Sequence, residues 1–308
     1  MIILVTGGAG FIGSHTVDLL LEQGHKVIVI DNLSSGSTEN LNPKANFYKE
    51  DLGNFEKISE IFEKEKPEAV YHFAAQIDVR KSLENPVADA EINIINTLNL
   101  LQLCVKNNIK HFIFSSSGGA IYDNSEIPAS ESTNQAPISP YGCAKLTIEK
   151  YLNFYNFVHG LKYTCLRYSN VYGPRQSSKG EAGVISIFIN NMLSKKNIII
   201  FGGSQTRDFV YVKDVARANV LALNDLNNGI YNIGTEKETD ITSLFNIINN
   251  FFENKFNVEY KPLIKGEVER SCLSYEKIKN VLGWTPIIQI EQGLKETYLY
   301  YLKSLNIQ

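Results

Sequence analysis

Three glycines spaced three apart, Gly7, Gly10 and Gly13, follow directly on the branched apolar run at residues 2–6. An amphipathic stretch then runs to Gln23 and stops at Gly24. A buried strand turning through glycines into a helix is the most restrictive feature of this sequence, because the spacing gives each glycine a task. Gly7 allows the tight turn. Gly10 lets a pyrophosphate approach the backbone at a helix N-terminus, where free N–H groups and the positive end of the helix dipole meet it. Gly13 permits close packing of helix on strand. The pattern predicts a dinucleotide site at the start of a parallel α/β sheet.

The next branched run, residues 26–30, ends in Asp31. A carboxylate at that place accepts hydrogen bonds from the adenosine ribose hydroxyls and repels a 2′-phosphate, so the expected cofactor is NAD and not NADP. The competing reading of Asp31 is a turn residue. Asp51 and Leu52 follow a third strand, and Asp51 either lies near the adenine or caps the helix after Asn54.

Further strands are expected at 46–49, 69–73, 111–115 and 162–167. They alternate with helices at about 55–64, 79–106 and 139–159, Pro140 lying in the first turn of the last. This alternation predicts a Rossmann-type doubly wound parallel sheet with helices on both faces. After Tyr168 the pattern changes. A loop rich in Gly, Pro and Ser covers 171–183, and a helix at 184–194 and a strand at 197–201 follow. Residues 207–211, a helix from Lys213 and residues 230–233 read as a return to the sheet. Beyond Thr235 come helices with one strand, 257–260. The expected division is an NAD-binding domain of residues 1–168 and 206–233, and a smaller C-terminal α/β substrate domain of residues 169–205 and 234–308.

Tyr141 and Lys145 stand four apart on the helix 139–159, one above the other on the same face. An ammonium so placed favours phenolate over phenol, and a tyrosine that loses its proton near neutrality is a usable general base. The same spacing also occurs as an ordinary surface pair. The glycine start and the Ser115-Ser116-Ser117 strand end favour the chemical reading.

The run Thr6-Gly7-Gly8-Ala9-Gly10-Phe11-Ile12-Gly13-Ser14, taken with Ser115-Ser116-Ser117 and Tyr141-x-x-x-Lys145, closely resembles the extended short-chain dehydrogenase/reductase family. Within that family the chain looks like the UDP-glucose/UDP-galactose 4-epimerases. His72-Phe73-Ala74-Ala75, Arg167-Tyr168-Ser169-Asn170, Gly173-Pro174-Arg175, Arg207-Asp208-Phe209-Val210-Tyr211-Val212 and Leu282-Gly283-Trp284-Thr285-Pro286 match family patterns in order, over essentially the whole length. The resemblance implies that Tyr141 is the base, that Lys145 holds the nicotinamide ribose and that Ser117 bonds the sugar 4-hydroxyl. Ser116 is a rival for that last role, because the spacing to Tyr122 is one residue longer than usual. It also implies a cofactor set of Gly7, Gly10, Phe11, Ile12, Gly13, Asp31, Asn32, Asp51, Leu52, Ala74, Ala75, Asn93, Ser115 and Tyr168, completed by Tyr141 and Lys145. Asn170, Val184 and Arg207 would hold UDP, the bidentate guanidinium suiting a diphosphate. The competing reading of Arg207 is a surface arginine.

Some positions depart from the family pattern. Ile264-Lys265 precede Gly266-Glu267 where an arginine is common, which puts one phosphate contact in doubt with Arg270 as the compensating residue; Glu267 and Arg270 complete the implied substrate set. Asp123 follows Tyr122 in place of glycine. Ser271 lines up with the residue that gates the sugar; a serine leaves room that a tyrosine would fill, so N-acetylated UDP-hexoses are expected substrates too. Gly118-Gly119 follow Ser117 where a nucleotide-sugar 4,6-dehydratase carries an Asp-Glu pair, which argues against elimination. A UDP-glucuronate decarboxylase is a second rival activity. A catalytically silent NAD-binding sensor is a third reading, disfavoured because Tyr141 and Lys145 are both present.

The formal net charge of −3, with both signs spread along 308 residues, gives no support for nucleic-acid or membrane partners. No apolar run reaches the roughly 18 residues of a membrane span. The sequence starts without the basic segment and cleavage site of a signal peptide, and its four cysteines are scattered. A cytoplasmic enzyme with reduced thiols is expected. The five histidines do not cluster, so no metal site is expected. A homodimer built on the helices 79–106 and 139–159 follows from the family resemblance.

Overall fold

The computed structural model describes residues 1–123, 125–177, 183–225, 227–263 and 268–304. The first half alternates as the sequence predicts. In chain order come β1 (Ile2–Thr6), α1 (Phe11–Glu22), β2 (Lys26–Asp31), β3 (Asn46–Lys49), α2 (Phe55–Glu65) and β4 (Ala69–His72). Then follow α3 (Val79–Glu84), α4 (Pro86–Ala90), a π-helical turn (Glu91–Ile95), α5 (Asn96–Lys106), β5 (His111–Ser117), α6 (Gly118–Ile121), α7 (Pro140–His159) and β6 (Lys162–Tyr168). The second half holds β7 (Asn170–Tyr172), α8 (Val184–Leu193), β8 (Ile198–Phe201), β9 (Thr206–Tyr211), α9 (Val212–Ala222), β10 (Ile230–Ile233) and β11 (Glu238–Asp240). It ends with α10 (Ile241–Asn250), β12 (Val258–Lys261), β13 (Arg270–Ser271), α11 (Glu276–Leu282) and α12 (Ile290–Ser304).

Seven parallel strands form the main sheet in the order β10-β6-β5-β4-β1-β2-β3. The order reverses between β1 and β4. At such a switch point the loops leaving the strand ends diverge and open a crevice for a ligand. Side-chain alternation divides the core into two layers. Ile3 and Val5 pack with Val17, Leu20, Val215 and Ala218 from α1 and α9. Leu4 faces the other way, among Phe62, Leu101, Cys104, Ile148 and Leu152 from α2, α5 and α7. A third cluster, with Phe188, Ile189, Ile198, Ile200, Leu244, Phe245 and Leu294, joins α8, β8, α10 and α12.

Four expectations need correction. The helix expected over 79–106 breaks at Asn85, and the chain restarts at Pro86. Proline forces the preceding residue out of the helical region, and Asn85 sits at φ −140°, ψ 80° with its side-chain oxygen capping the Ala88 N–H. Residues 207–211 do not return to the main sheet. They lie in β9, which pairs in parallel with β7 and β13 and antiparallel with β11. Residues 230–233 do join the main sheet, as its edge strand β10. β7 occupies part of the expected loop, and β11 and β13 are short strands beyond the single one expected after Thr235.

Candidate active site

The glycine turn is built as its spacing requires. Gly7 has φ +70°, and a Cβ there would stand 2.6 Å from the Ala74 amide nitrogen. The loop after β4 therefore rests directly on the glycine turn, which brings Ala74 and Ala75 beside Gly7. A Cβ on Gly13 would overlap the Gly7 carbonyl oxygen, so any side chain there pushes α1 off the turn. Gly10 occupies the N-cap of α1 without a side-chain cap, and Phe11 and Ile12 form the first helical turn, whose N–H groups have no partner within the helix. This is a cradle for a pyrophosphate, and it fits NAD.

Asp31 ends β2 at 8% exposure, its carboxylate accepting from the Ala9 N–H at 3.0 Å and the Leu33 N–H at 2.8 Å. It braces the glycine turn from the end of β2. Asn32 donates to Asp51 at 2.6 Å, and Asp51 also accepts from the Gly53 N–H at 2.7 Å. The cap of α2 is Asn54 and not Asp51. Leu52 is half-buried against the α2–α5 layer.

Asn93 lies in the π-helical turn and is committed on both sides of its amide. Its oxygen accepts from the Gln76 N–H at 2.9 Å, and its nitrogen donates to the Gln76 carbonyl at 2.9 Å and to Asp89 at 3.0 Å. It clamps the turn that follows Ala74 and Ala75. The amide assignment follows from these partners.

Tyr141 and Lys145 lie at the start of α7. Ser139 caps the helix by accepting from the Gly142 N–H at 3.1 Å. A Cβ on Gly142 would overlap the Ala120 carbonyl, so the start of α7 sits hard against α6 and the end of β5. Lys145 is 4% exposed, and its Nζ donates to the Ser115 carbonyl at 2.8 Å. The same nitrogen lies 5.7 Å from the Tyr141 ring centroid and 4.9 Å from that of Phe114. Burial pulls the Lys145 ammonium down to about 8, opposed by the Asp89 and Glu149 carboxylates.

The three serines of β5 part company. Ser116 is buried and donates to Glu149 at 2.6 Å. Glu149 also forms a bidentate pair with Arg167, whose remaining nitrogen donates to the Tyr122 hydroxyl at 2.7 Å. Ser115 and Ser117 alternate onto the other face. Ser117, half-buried, ends the strand in register with Tyr168 of β6. Tyr168 bonds the Ser115 side chain and donates to Asn219 at 2.7 Å, and Asn219 donates in turn to Thr16 of α1 at 2.9 Å. Burial pushes the Tyr168 phenol up.

The residues expected to hold UDP are spread over β7, α8 and β9. Asn170 begins β7, Val184 begins α8, and Arg207 lies half-buried in β9 with one nitrogen donating to the Thr206 carbonyl at 2.8 Å. Arg270 is 58% exposed along its side chain and forms a bidentate pair with Glu238, tying the β13 edge to β11. Ser271, its neighbour in β13, is buried in register with Arg207, and its Oγ lies 4.0 Å from the position of a Gly119 Cβ. The expectation on Glu267 lies outside the described residues.

Residue-type reasoning passed over Asp89, Glu149 and Asn219. The signal for two of them was present: Asp89 stands four residues before Asn93, and Glu149 four after Lys145, each pair sharing a helical face. Among the described residues no group of three or more His, Cys, Asp or Glu could hold a metal ion.

The family model for the NAD dependent epimerase/dehydratase family matches residues 3–234. Among solved structures, UDP-glucose 4-epimerase from Thermotoga maritima with UDP-glucose is 50% identical, with a TM-score of 0.97 over 99% of this chain and 100% of that one. UDP-glucose 4-epimerase from Thermus thermophilus in complex with NAD is 39% identical, with a TM-score of 0.92 over 98% and 99%. UDP-N-acetylglucosamine 4-epimerase from Methanobrevibacter ruminantium in complex with UDP-N-acetylmuramic acid is 38% identical, with a TM-score of 0.92 over 98% of each chain.

Proposed function

The chain belongs to the NAD dependent epimerase/dehydratase family, and from that premise we propose that it interconverts the carbon-4 epimers UDP-glucose and UDP-galactose through a 4-keto sugar. It is an NAD-dependent isomerase. The observation that carries the reading is the pairing of Tyr141 with a buried Lys145 that is itself anchored on the Ser115 carbonyl.

NAD, which Gly7, Gly10, Gly13, Asp31 and Lys145 would hold, would supply the hydride chemistry at carbon 4 that the side chains lack. Tyr141 takes the proton of the 4-hydroxyl and gives it back. Lys145 favours the anionic form of that tyrosine, and Ser117 holds the hydroxyl in line. Tyr168 closes the site from β6 as a neutral phenol. Asn170, Val184 and Arg207 hold the uridine diphosphate, about which the sugar turns. Asn93 holds the Gln76 turn through both ends of its amide, on the cofactor side of the site. Arg270 serves the β13 edge, which leaves the diphosphate to Arg207. The residues flanking Ser117 at the next two positions are glycines, so the side chains for a 4,6-elimination are lacking there.

The small buried Ser271 beside Gly119 supports acceptance of N-acetylated UDP-hexoses. Residues 1–168 and 206–233 then serve NAD and residues 169–205 and 234–308 the nucleotide sugar, with β9 contributing to the sugar side from within the first set. Leu83, Val87, Ile92 and Ile95 on α3, α4 and the π-helical turn, and Tyr151, Phe154 and Val158 on α7, are exposed apolar side chains. They support a homodimer through these helices, which a monomeric sedimentation mass would refute. No helix among the described residues is long and apolar enough to cross a membrane. The free cysteines fit a cytoplasmic location, and recovery in a membrane fraction would contradict it. The test of the function is direct: purified protein given UDP-galactose forms UDP-glucose with no change of mass, whereas a lighter product would mean elimination or decarboxylation.

A further inference from the structure

Asp89 is 2% exposed on α4, the short helix that restarts at Pro86. Its Oδ1 accepts from Gln76 Nε2 at 3.0 Å and from Asn93 Nδ2 at 3.0 Å. Its Oδ2 is equally buried and has no hydrogen-bond partner. Among the described residues no ion pair joins it. A buried carboxylate oxygen left in this condition costs stability unless a cation lies within electrostatic reach.

α4 packs against α7, and the buried cation on that side is Lys145. The groups facing Lys145 can be named element by element. From α7 come Tyr141 and Glu149, from β5 the Phe114 ring and the Ser115 carbonyl, from β4 His72, and from α4 Asp89. Tyr168 of β6 interacts with Tyr141 behind them. His72 is held neutral by burial between Thr6 and Thr97. Glu149 is bound on both oxygens by Arg167, which offsets its charge. Asp89 is the carboxylate in this set whose charge no arginine offsets.

We propose that Asp89 is a positioning residue for the reaction: it holds the Gln76 turn against the glycine loop and, with its second oxygen unpartnered, supplies a buried carboxylate to the α4–α7 packing that carries Lys145 and Tyr141. The inference deepens the epimerase reading and rests on it for its catalytic consequence. Of the two carboxylates that oppose the burial of Lys145, Asp89 contributes the larger effect. An opposite charge near a buried ammonium favours its protonated form. Without Asp89, Lys145 loses its proton nearer neutrality and the tyrosine loses its electrostatic support.

The helix break at Pro86 belongs to the same device. A continuous helix over 79–106 would keep one axis throughout. The restart at Pro86 and the π turn that follows set the direction from which Asp89 and Asn93 meet the Gln76 turn.

The test compares Asp89→Asn, which keeps the volume and one acceptor oxygen, with Asp89→Glu and the unchanged protein, all in the NAD-bound form. Lysine labelled with carbon-13 at Cε reports the Lys145 titration, its resonance assigned by its loss in Lys145→Arg, and kcat is followed over the same pH range. The Lys145 midpoint moves down by at least about one unit in Asp89→Asn. The pH at which kcat falls to half moves down with it, while kcat on the lower-pH plateau stays within a few-fold and Asp89→Glu restores both values. A midpoint that does not move overturns the proposal, and so does a kcat reduced by the same factor at every pH. Asp89→Ser, smaller and neutral, gives the same reading should the amide variant not fold. If the unchanged protein shows no epimerase activity the functional reading fails, and the lysine titration still decides the role of Asp89.

Discussion

Ser116 Oγ donates to Glu149 Oε1 at 2.6 Å, on the face of β5 opposite to the one that Ser115 and Ser117 share. Glu149 stands four residues after Lys145 on α7, so the same helix presents one group to the site and the next to the buried network behind it. Arg167, Tyr122 and Asn232 continue that network across β6 and β10.

Ser117→Ala is expected to lower kcat by about 10²–10⁴-fold with the fold intact, the range in which a positioned proton-transfer partner contributes. Ser116→Ala is expected to cost about 1–3 kcal/mol of stability, by removing a donor from a buried carboxylate, with far less effect on kcat. Steady-state rates set beside urea unfolding curves decide the matter. Loss of turnover in Ser116→Ala alone would transfer the role to that serine.

Gly13→Ala tests the cradle. Its methyl group would overlap the Gly7 carbonyl, so α1 and the glycine turn cannot keep their approach. Purified Gly13→Ala is expected to carry little NAD and to bind it at least about 10-fold more weakly, a loss of about 1.4 kcal/mol. Full occupancy by NAD in this variant would mean that the pyrophosphate lies elsewhere.

The strand–helix alternation, the glycine turn and the Tyr141–Lys145 stripe were legible because each is a local pattern with a period. Partnership between distant segments was not. Residues 207–211 read as a strand, yet nothing in a short alternating run says that β7 will pair with them in place of β6. The partners of Asn93, the Gln76 turn and Asp89, were not legible, because they depend on how the chain restarts at Pro86. The break itself was available in Asn85-Pro86, a cap followed by a proline suited to a first turn. The pairing of Arg270 with Glu238 could not be read without knowing that β11 and β13 both pair with β9. The acids Asp89 and Glu149 share their helical faces with Asn93 and Lys145, but spacing alone does not reveal that a carboxylate is buried.

His72 predicts the response to acid. Burial pulls its imidazole down to about 3 from an ordinary value of 6.5, so the folded chain keeps it neutral while the unfolded chain takes up a proton below pH 6.5. Its contribution is complete above pH 6.5 and is lost as the pH falls from there towards 3, at about 1.4 kcal/mol per unit. His15, pulled down to about 4 chiefly by burial, acts in the same direction. The stability advantage of the unchanged protein over His72→Gln, read from urea unfolding, should shrink by about 2 kcal/mol between pH 7 and pH 5. An advantage independent of pH would show that the imidazole titrates alike in both states.

Ser271→Tyr is expected to separate substrates. The ring would fill space beside Gly119, so turnover of UDP-N-acetylgalactosamine should fall at least about 10-fold relative to UDP-galactose, which itself changes little. The unchanged protein is expected to act on both. An unchanged protein that acts on UDP-galactose and leaves the N-acetylated sugar untouched would remove Ser271 as the determinant.

The central claim is that Tyr141, beside Lys145, moves the proton of the sugar 4-hydroxyl. Its most direct measurement is the rate at which Tyr141→Phe converts UDP-galactose to UDP-glucose, taken with its NAD content. The account predicts a loss of at least about 10²-fold in kcat with NAD still bound. Turnover within a few-fold of the unchanged protein would contradict it and require another base.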